Sequence, residues 1–370
     1  MIFFVAPHEQ IFPMEDFLRG DESGALRDRI RVLTYEEVFA RRALPVGAYI
    51  FSAIDQLTPT GAVLVARCRH ELARAAQGIA LLNDPLAVRR RGELLHAAFE
   101  TGRNLFRVTR ADGFTLRHRY PVFVRCEREH TGSLTPLLWS RWRLNLALLA
   151  ACARGYRLRD LLVVEYCHTA DAGGIFRKYS AYIVGDRIVP RSLIQSREWV
   201  TKDHDRLFTE EAAREEFDYV TTNPHEAWLR ETFRLARAEY GRVDYGVLDG
   251  RPQVWEVNLN PTIGRRAYAH AHAPAHAPAD SRRTESQRTD SQRALVGPAR
   301  AHFYRSFRAA LERLDCGENP RRAVQVSVSA ADDARLESER RTRARVLSRQ
   351  TAVSRLLHPP LRLLKRAIRR

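Results

Sequence analysis

The chain has 370 residues, 45% of them apolar and 28% charged, which is enough for two or three domains with a full core. No run of eighteen apolar residues occurs, which excludes a hydrophobic membrane-spanning helix. The net charge of +17 is uneven: residues 281–370 hold 22 Lys/Arg against 9 Asp/Glu, leaving the first 280 residues with a net of +4.

Five cysteines (Cys68, Cys126, Cys152, Cys167, Cys316) are scattered with no C-x-x-C pair. That pattern argues against a disulfide framework or zinc site and fits a reducing cytoplasm. The apolar N-terminus is short and lacks a basic leader, so it reads as a first strand and not as a signal peptide.

Residues 1–85 read as a small α/β domain. Apolar runs predict strands over 2–6, 30–33 and 49–53, and a helix over 62–76 that a threonine of Thr58-Pro59-Thr60 can cap. Alternation of strand and helix predicts a parallel sheet. The stretch 78–85, ending Asn83-Asp84-Pro85, closes it.

Residues 86–268 form the second predicted domain. A helix is expected over 86–101, then strands over 105–108 and 120–124, a helix over 140–153, and a buried strand over 161–166 that carries Glu165. Next comes a hairpin over 173–190 turning at Gly185-Asp186. Arg177 and Lys178 point to opposite faces of its first strand, and Lys178, one of only three lysines, is the favoured site residue. Helices over 209–219 and 225–240 follow, the second with Asn223 as its cap.

The stretch 241–264 is the most informative. It reads as two strands joined at Asp249-Gly250, a dipeptide that favours hairpin turns. Glu256 and Asn258 lie two apart on the second strand and share a face, and Asp244 on the first strand can reach it. Two carboxylates and an amide oxygen make a hard-oxygen set suited to Mg²⁺, which takes one or two protein carboxylates and completes its shell with water and phosphates. Register tests this reading. A strict two-residue turn places Trp255 opposite Asp244, so the metal site requires an odd loop or a bulge.

From Ala269 the composition changes. Alternating His, Ala and Pro, then Ser, Arg, Thr and Gln, predict a disordered linker over 269–295. A helix over 296–315 and a basic tail over 316–370 end the chain. The last fifteen residues are basic and amphipathic, suited to an anionic membrane or an acidic partner. Nothing interleaves aromatics with basic residues as sequence-specific nucleic-acid recognition would need.

The order G-R-x-D followed by E-x-N-x-x-P, at 241–244 and 256–261, resembles the ATP-grasp fold. The likeness is strongest to its D-alanine–D-alanine ligase and ribosomal-protein glutamate ligase branches. It covers roughly residues 83–266, with 1–85 compatible with the domain that precedes that fold. The resemblance implies an α/β (α+β) architecture of two subdomains after a small parallel-sheet domain. It also implies Mg-ATP as cofactor, with two ions for which Mn²⁺ can substitute. Asp244, Glu256 and Asn258 would be the metal ligands, and Arg242 would stabilise the transferring phosphate.

The run 120–125 matches the strand whose basic residue grips the α-phosphate. Here that residue is Arg125 where the family has lysine; a guanidinium fork also suits phosphate. His130, Gly132 and Ser133 fall in the loop that folds over the triphosphate. Glu165, or less directly Asp171, would meet the ribose, and Lys178 the phosphates. Arg265 and Arg266, after the Asn-Pro turn, read either as binders of a substrate carboxylate or as a solvated pair. The implied activity is an ADP-forming carboxylate–amine ligase acting on small-molecule or peptide substrates. A phosphotransferase of the same fold, or a non-catalytic nucleotide-binding module, are the alternatives. Arg125 and a loop with a single glycine keep the last one open.

Overall fold

The computed structural model describes residues 1–41, 43–113, 118–128, 132–263, 289–315, 322–346 and 348. Contacts divide the chain into two compact units: residues 1–88 with 169–328, and residues 89–168 with 329–370.

The larger unit holds a parallel sheet of order β2-β1-β4-β5. Its strands are β1 (Ile2–Ala6), β2 (Ile30–Thr34), β4 (Ala48–Phe51) and β5 (Leu81–Leu82). Every residue of β1 and β4 is buried, as expected of parallel strands covered on both faces. Helices α1 (Phe12–Arg19), α2 (Tyr35–Ala40) and α3 (Pro59–Ala75) accompany it. Thr34 and Glu37 form a reciprocal capping box on α2. Thr58 accepts the Gly61 N–H at 3.1 Å, and Pro59 fits the first turn, so α3 starts earlier than the apolar pattern suggests.

A second sheet in this unit is antiparallel, of order β10-β9-β11-β12. It contains β9 (Phe176–Val184), β10 (Arg187–Ser196), β11 (Tyr240–Leu248) and β12 (Arg251–Asn258). Helices α6 (Glu210–Thr222) and α7 (Glu226–Ala236) cover the face bearing Tyr179 and Tyr245, whose rings stack at 5.2 Å with Tyr219 5.0 Å from Tyr179. Asn223 does not cap α7 as expected. It closes α6 in the left-handed conformation (φ 47°), and Arg237 closes α7 in the same way (φ 54°), which frees Tyr240 to open β11.

Helix α8 (Asp290–Glu312) begins before the expected 296, because Thr289 and Gln292 build a capping box. Its Phe303 and Phe307 lie 5.4 and 5.1 Å from Tyr182. Within the stretch read as a basic tail, β13 (Ala323–Gln325) pairs antiparallel with β3 (Ala43–Pro45), and residues 330–346 are helical.

The smaller unit has a three-stranded antiparallel sheet of order β6-β8-β7, from β6 (Val108–Arg110), β7 (Val122–Cys126) and β8 (Leu161–Glu165). Helix α4 (Arg91–Glu100) precedes it, and α5 (Arg141–Ala153) packs Leu144, Ala147 and Ala151 on Val122, Val124 and Val163. Both outer strands start two or three residues later than expected. Glu165 explains the shift: its carboxylate binds the backbone N–H groups of Arg107 and Arg119, drawing those segments out of the ladder. Among the described residues no helix is long and apolar enough to cross a membrane.

Candidate active site

Asp249 (φ 49°) and Gly250 (φ 72°) make the tight two-residue turn of the β11–β12 hairpin, pairing Leu248 with Arg251. A continuous ladder would bring Trp255 opposite Asp244. A bulge between Asp244 and Tyr245 takes up Trp255 and restores Asp244 opposite Glu256 and Arg242 opposite Asn258. Four polar side chains thus line one face of two adjacent strands. The bulged indole lies over Gly246: a Cβ there would meet it at 2.4 Å, so residue 246 must be small.

Arg242 donates from Nε to Asp244 Oδ1 at 2.8 Å and from a terminal nitrogen to Oδ2 at 3.1 Å. Burial lowers the Arg242 pKa, but Asp244, Tyr182 and Glu256 together outweigh it and keep the guanidinium charged. The Asn258 amide oxygen accepts the Asn260 N–H at 2.9 Å, which fixes its direction.

On the other side of β11, Ser180 pairs with Asp244 and Tyr182 with Arg242. Lys178 is two residues from Ser180 and shares its face. Lys178 makes no hydrogen bond or ion pair among the described residues. Burial pulls its pKa below the ordinary 10.5; Asp244 and Glu256 counter the shift, while Arg242 adds to it. Arg177, facing the other way, is committed to Asp171 at 2.5 Å and Glu215 at 2.8 Å. Asp171 also accepts the N–H groups of Gly173 and Ile175, so it serves its own loop.

Two features of this site were not singled out from the sequence. Asn83, buried with φ 68°, donates to the carbonyls of Phe51 and Tyr240 and accepts from the N–H groups of Glu239 and Tyr240. Ser52 donates to the Leu259 carbonyl and the Asn260 side chain. Together they bind both ends of the β11–β12 hairpin to the parallel sheet. The one available signal was Asn83 itself, a residue that tolerates positive φ, placed before Asp-Pro.

The second feature is a chain of hydrogen bonds on the opposite face. The Tyr219 hydroxyl donates to the Ser180 carbonyl at 3.1 Å and accepts from Tyr245 at 3.2 Å. Tyr245 lies 2.9 Å from His225 Nδ1, and with both hydroxyl protons spent, that nitrogen must be the donor. The chain ends on the residue paired with Asp244.

The smaller unit holds the other expected residues. Arg125 alternates with buried Val124 and Cys126 on β7, so it lies on the face opposite α5. Gly132 has φ 94°, a conformation that favours glycine. The Ser133 hydroxyl donates back to the carbonyls of Val124 and Thr135 and so closes its own loop. Glu165, 3% exposed, accepts both backbone N–H groups named above and two guanidinium bonds from Arg119 at 3.0 and 2.9 Å. His130, Arg265 and Arg266 lie outside the described residues.

The donor set suits Mg²⁺. Asp244 and Glu256 face each other, with the Asn258 amide adjacent, and a hard cation needs no more protein oxygens than these. Among the described residues no group of three or more His, Cys, Asp and Glu gathers that could hold a metal ion, so the oxygen set here is two carboxylates and an amide.

No family model matches the sequence, and no curated protein matches it. Solved structures do. The chain resembles the ATP-grasp ligases. The D-alanine–D-alanine ligase of Bacillus anthracis complexed with ATP is 12% identical, with 85% of this chain and 99% of that one covered and a TM-score of 0.40. An L-amino acid ligase from Bacillus licheniformis is 11% identical over 70% of this chain, which spans 66% of that one, with a TM-score of 0.40. A RimK domain ATP-grasp protein from Sphaerobacter thermophilus is 15% identical over 70% and 92% of the two chains, with a TM-score of 0.37. The register of this chain places Arg242, Asp244, Glu256 and Asn258 on one face of the hairpin.

Proposed function

We propose that this protein is an ATP-dependent ligase that activates a carboxylate as an acylphosphate and joins it to an amine, releasing ADP and phosphate. The observation that carries the reading is the pairing of Asp244 with Glu256 and Arg242 with Asn258 on the Lys178 face of the sheet.

Phosphoryl transfer asks little covalent chemistry of a protein; it asks for position and for charge neutralisation. Asp244, Glu256 and Asn258 would hold Mg²⁺, which would supply neutralisation of phosphate charge. Lys178, which makes no hydrogen bond or ion pair among the described residues, binds a phosphate oxygen. Arg242 is held in plane by Asp244, so its remaining N–H groups are oriented toward charge that develops on the transferring phosphoryl group and on the tetrahedral carbon. Arg125 takes the α-phosphate. Gly132, at φ 94°, lets the backbone approach phosphate closely, with Ser133 beside it. Glu165 serves the fold first, and one acceptor direction on Oε1 remains for a nucleotide hydroxyl. The substrates are a small-molecule or peptide carboxylate and an amine.

Product analysis tests this. Incubation with Mg-ATP and pools of amino acids, peptides and carboxylic acids should yield an amide in step with ADP and free phosphate. A phosphorylated acceptor with ADP and no free phosphate would assign a phosphotransferase instead.

A further inference from the structure

The smaller unit carries a cleft of about 200 Å³ on the α5 side of its sheet, the face opposite Arg125. Leu144 and Leu148 of α5 and Val163 of β8 form its apolar wall. Arg141, Asn145, His118 and Tyr120 supply its polar groups.

These polar groups are uncommitted. Arg141, Asn145 and the Tyr120 hydroxyl make no hydrogen bond or ion pair among the described residues. His118 Nδ1 is buried without a partner among them. Arg110 also borders the cleft, but its guanidinium is closed on Glu127 at 2.8 and 2.9 Å. Arg141 is therefore, among the described residues, the cation of the lining with no ion pair. Its charge reaches both His118 and Tyr120, whose rings meet edge to face with centroids 6.4 Å apart.

A pocket with an apolar wall and a few convergent polar groups is the ordinary form of a small-molecule site. An apolar cavity of about 150 Å³ already accepts benzene, so this cleft has room for one ring and a charged head. A guanidinium beside an amide matches a planar carboxylate.

We propose that this cleft binds a small monocarboxylate with a ring or branched apolar body, its carboxylate on Arg141 and Asn145 and its body against Leu144, Leu148 and Val163. The cleft residues belong to the smaller unit and Asp244 and Glu256 to the larger, and the proposal stands whether or not those two residues serve ATP turnover.

Benzoate is the probe, titrated calorimetrically into the full chain with Mg-ATP present to fill any nucleotide site. Saturable binding is expected, weakened at least ten-fold by Arg141→Met and several-fold by Asn145→Leu. Benzamide, its neutral counterpart, should bind at least ten-fold more weakly. Both substituted positions are exposed, so the variants should melt as the parent does. Absence of saturable benzoate binding would overturn the proposal. So would equal binding by the Arg141→Met variant, equal binding of benzamide, or tighter binding of inorganic phosphate at the same site.

Discussion

The antiparallel sheet of the larger unit and the three-stranded sheet of the smaller one both carry residues expected to meet a nucleotide, and they treat them differently. On β9, β11 and β12 the expected residues share one face, and Lys178 makes no bond among the described residues. On β7, β8 and the loop between, Glu165 accepts four hydrogen bonds and Ser133 is folded onto its own loop. In the first set Arg242 and Asp244 hold each other and Asn258 accepts from Asn260, whereas Glu165 and Ser133 in the second hold backbone groups. A substitution in the first set should remove activity and spare the fold. A substitution in the second should do the reverse.

The largest expected effect is at Glu256. Glu256→Gln keeps the shape and removes one carboxylate from the cation set, so turnover of ATP should fall by about 10³-fold with the melting temperature unchanged in a thermal scan. Lys178→Ala should follow at about 10²-fold in kcat/KM for ATP, again without loss of stability, since no hydrogen bond is broken. Glu165→Gln sharpens the contrast. It weakens charge-assisted bonds to Arg107 and Arg119 and should cost about 1–3 kcal/mol in urea unfolding, with a smaller effect on KM for ATP. A ten-fold rise in that KM at unchanged stability would place Glu165 on the ribose and erase the distinction.

Lys178 also makes a prediction about pH. Its pKa lies below the ordinary lysine value, so it loses its charge at a lower pH than a solvated lysine would. The charged form binds phosphate, and kcat/KM should therefore fall on an alkaline limb that begins below 10.5. In Lys178→Arg, which stays charged, that limb should move upward in a pH–rate profile. The smallest effect is at Tyr219. Tyr219→Phe breaks the chain that ends on the Ser180 carbonyl and should cost about 0.5–1.5 kcal/mol, read by urea unfolding.

The same contrast explains what the sequence made legible. Asp244, Glu256 and Asn258 could be placed on one face because strand alternation and the Asp249-Gly250 turn are local rules. The bulge at Trp255 is not local. It followed only from requiring the two carboxylates to meet, and the ladder takes that form. Arg177 is held by Glu215, 38 residues away, and by Asp171 in a loop of its own, which strand alternation could not show. Glu165 was visible as a buried strand end, but its partners Arg107 and Arg119 lie 58 and 46 residues away, beyond the reach of any periodicity. The helix start at Asp290 was within reach, since Thr289-x-x-Gln292 is a capping box. It was masked by the low-complexity composition before it.

The most direct test of the central claim is Mg-ATP turnover by the intact chain beside its Glu256→Gln variant, with ADP and phosphate both measured against pools of acids and amines. The account predicts release that depends on a particular acid–amine pair and disappears in the variant while ATP still binds. Release that survives in Glu256→Gln, or a chain that binds no ATP at all, would contradict it.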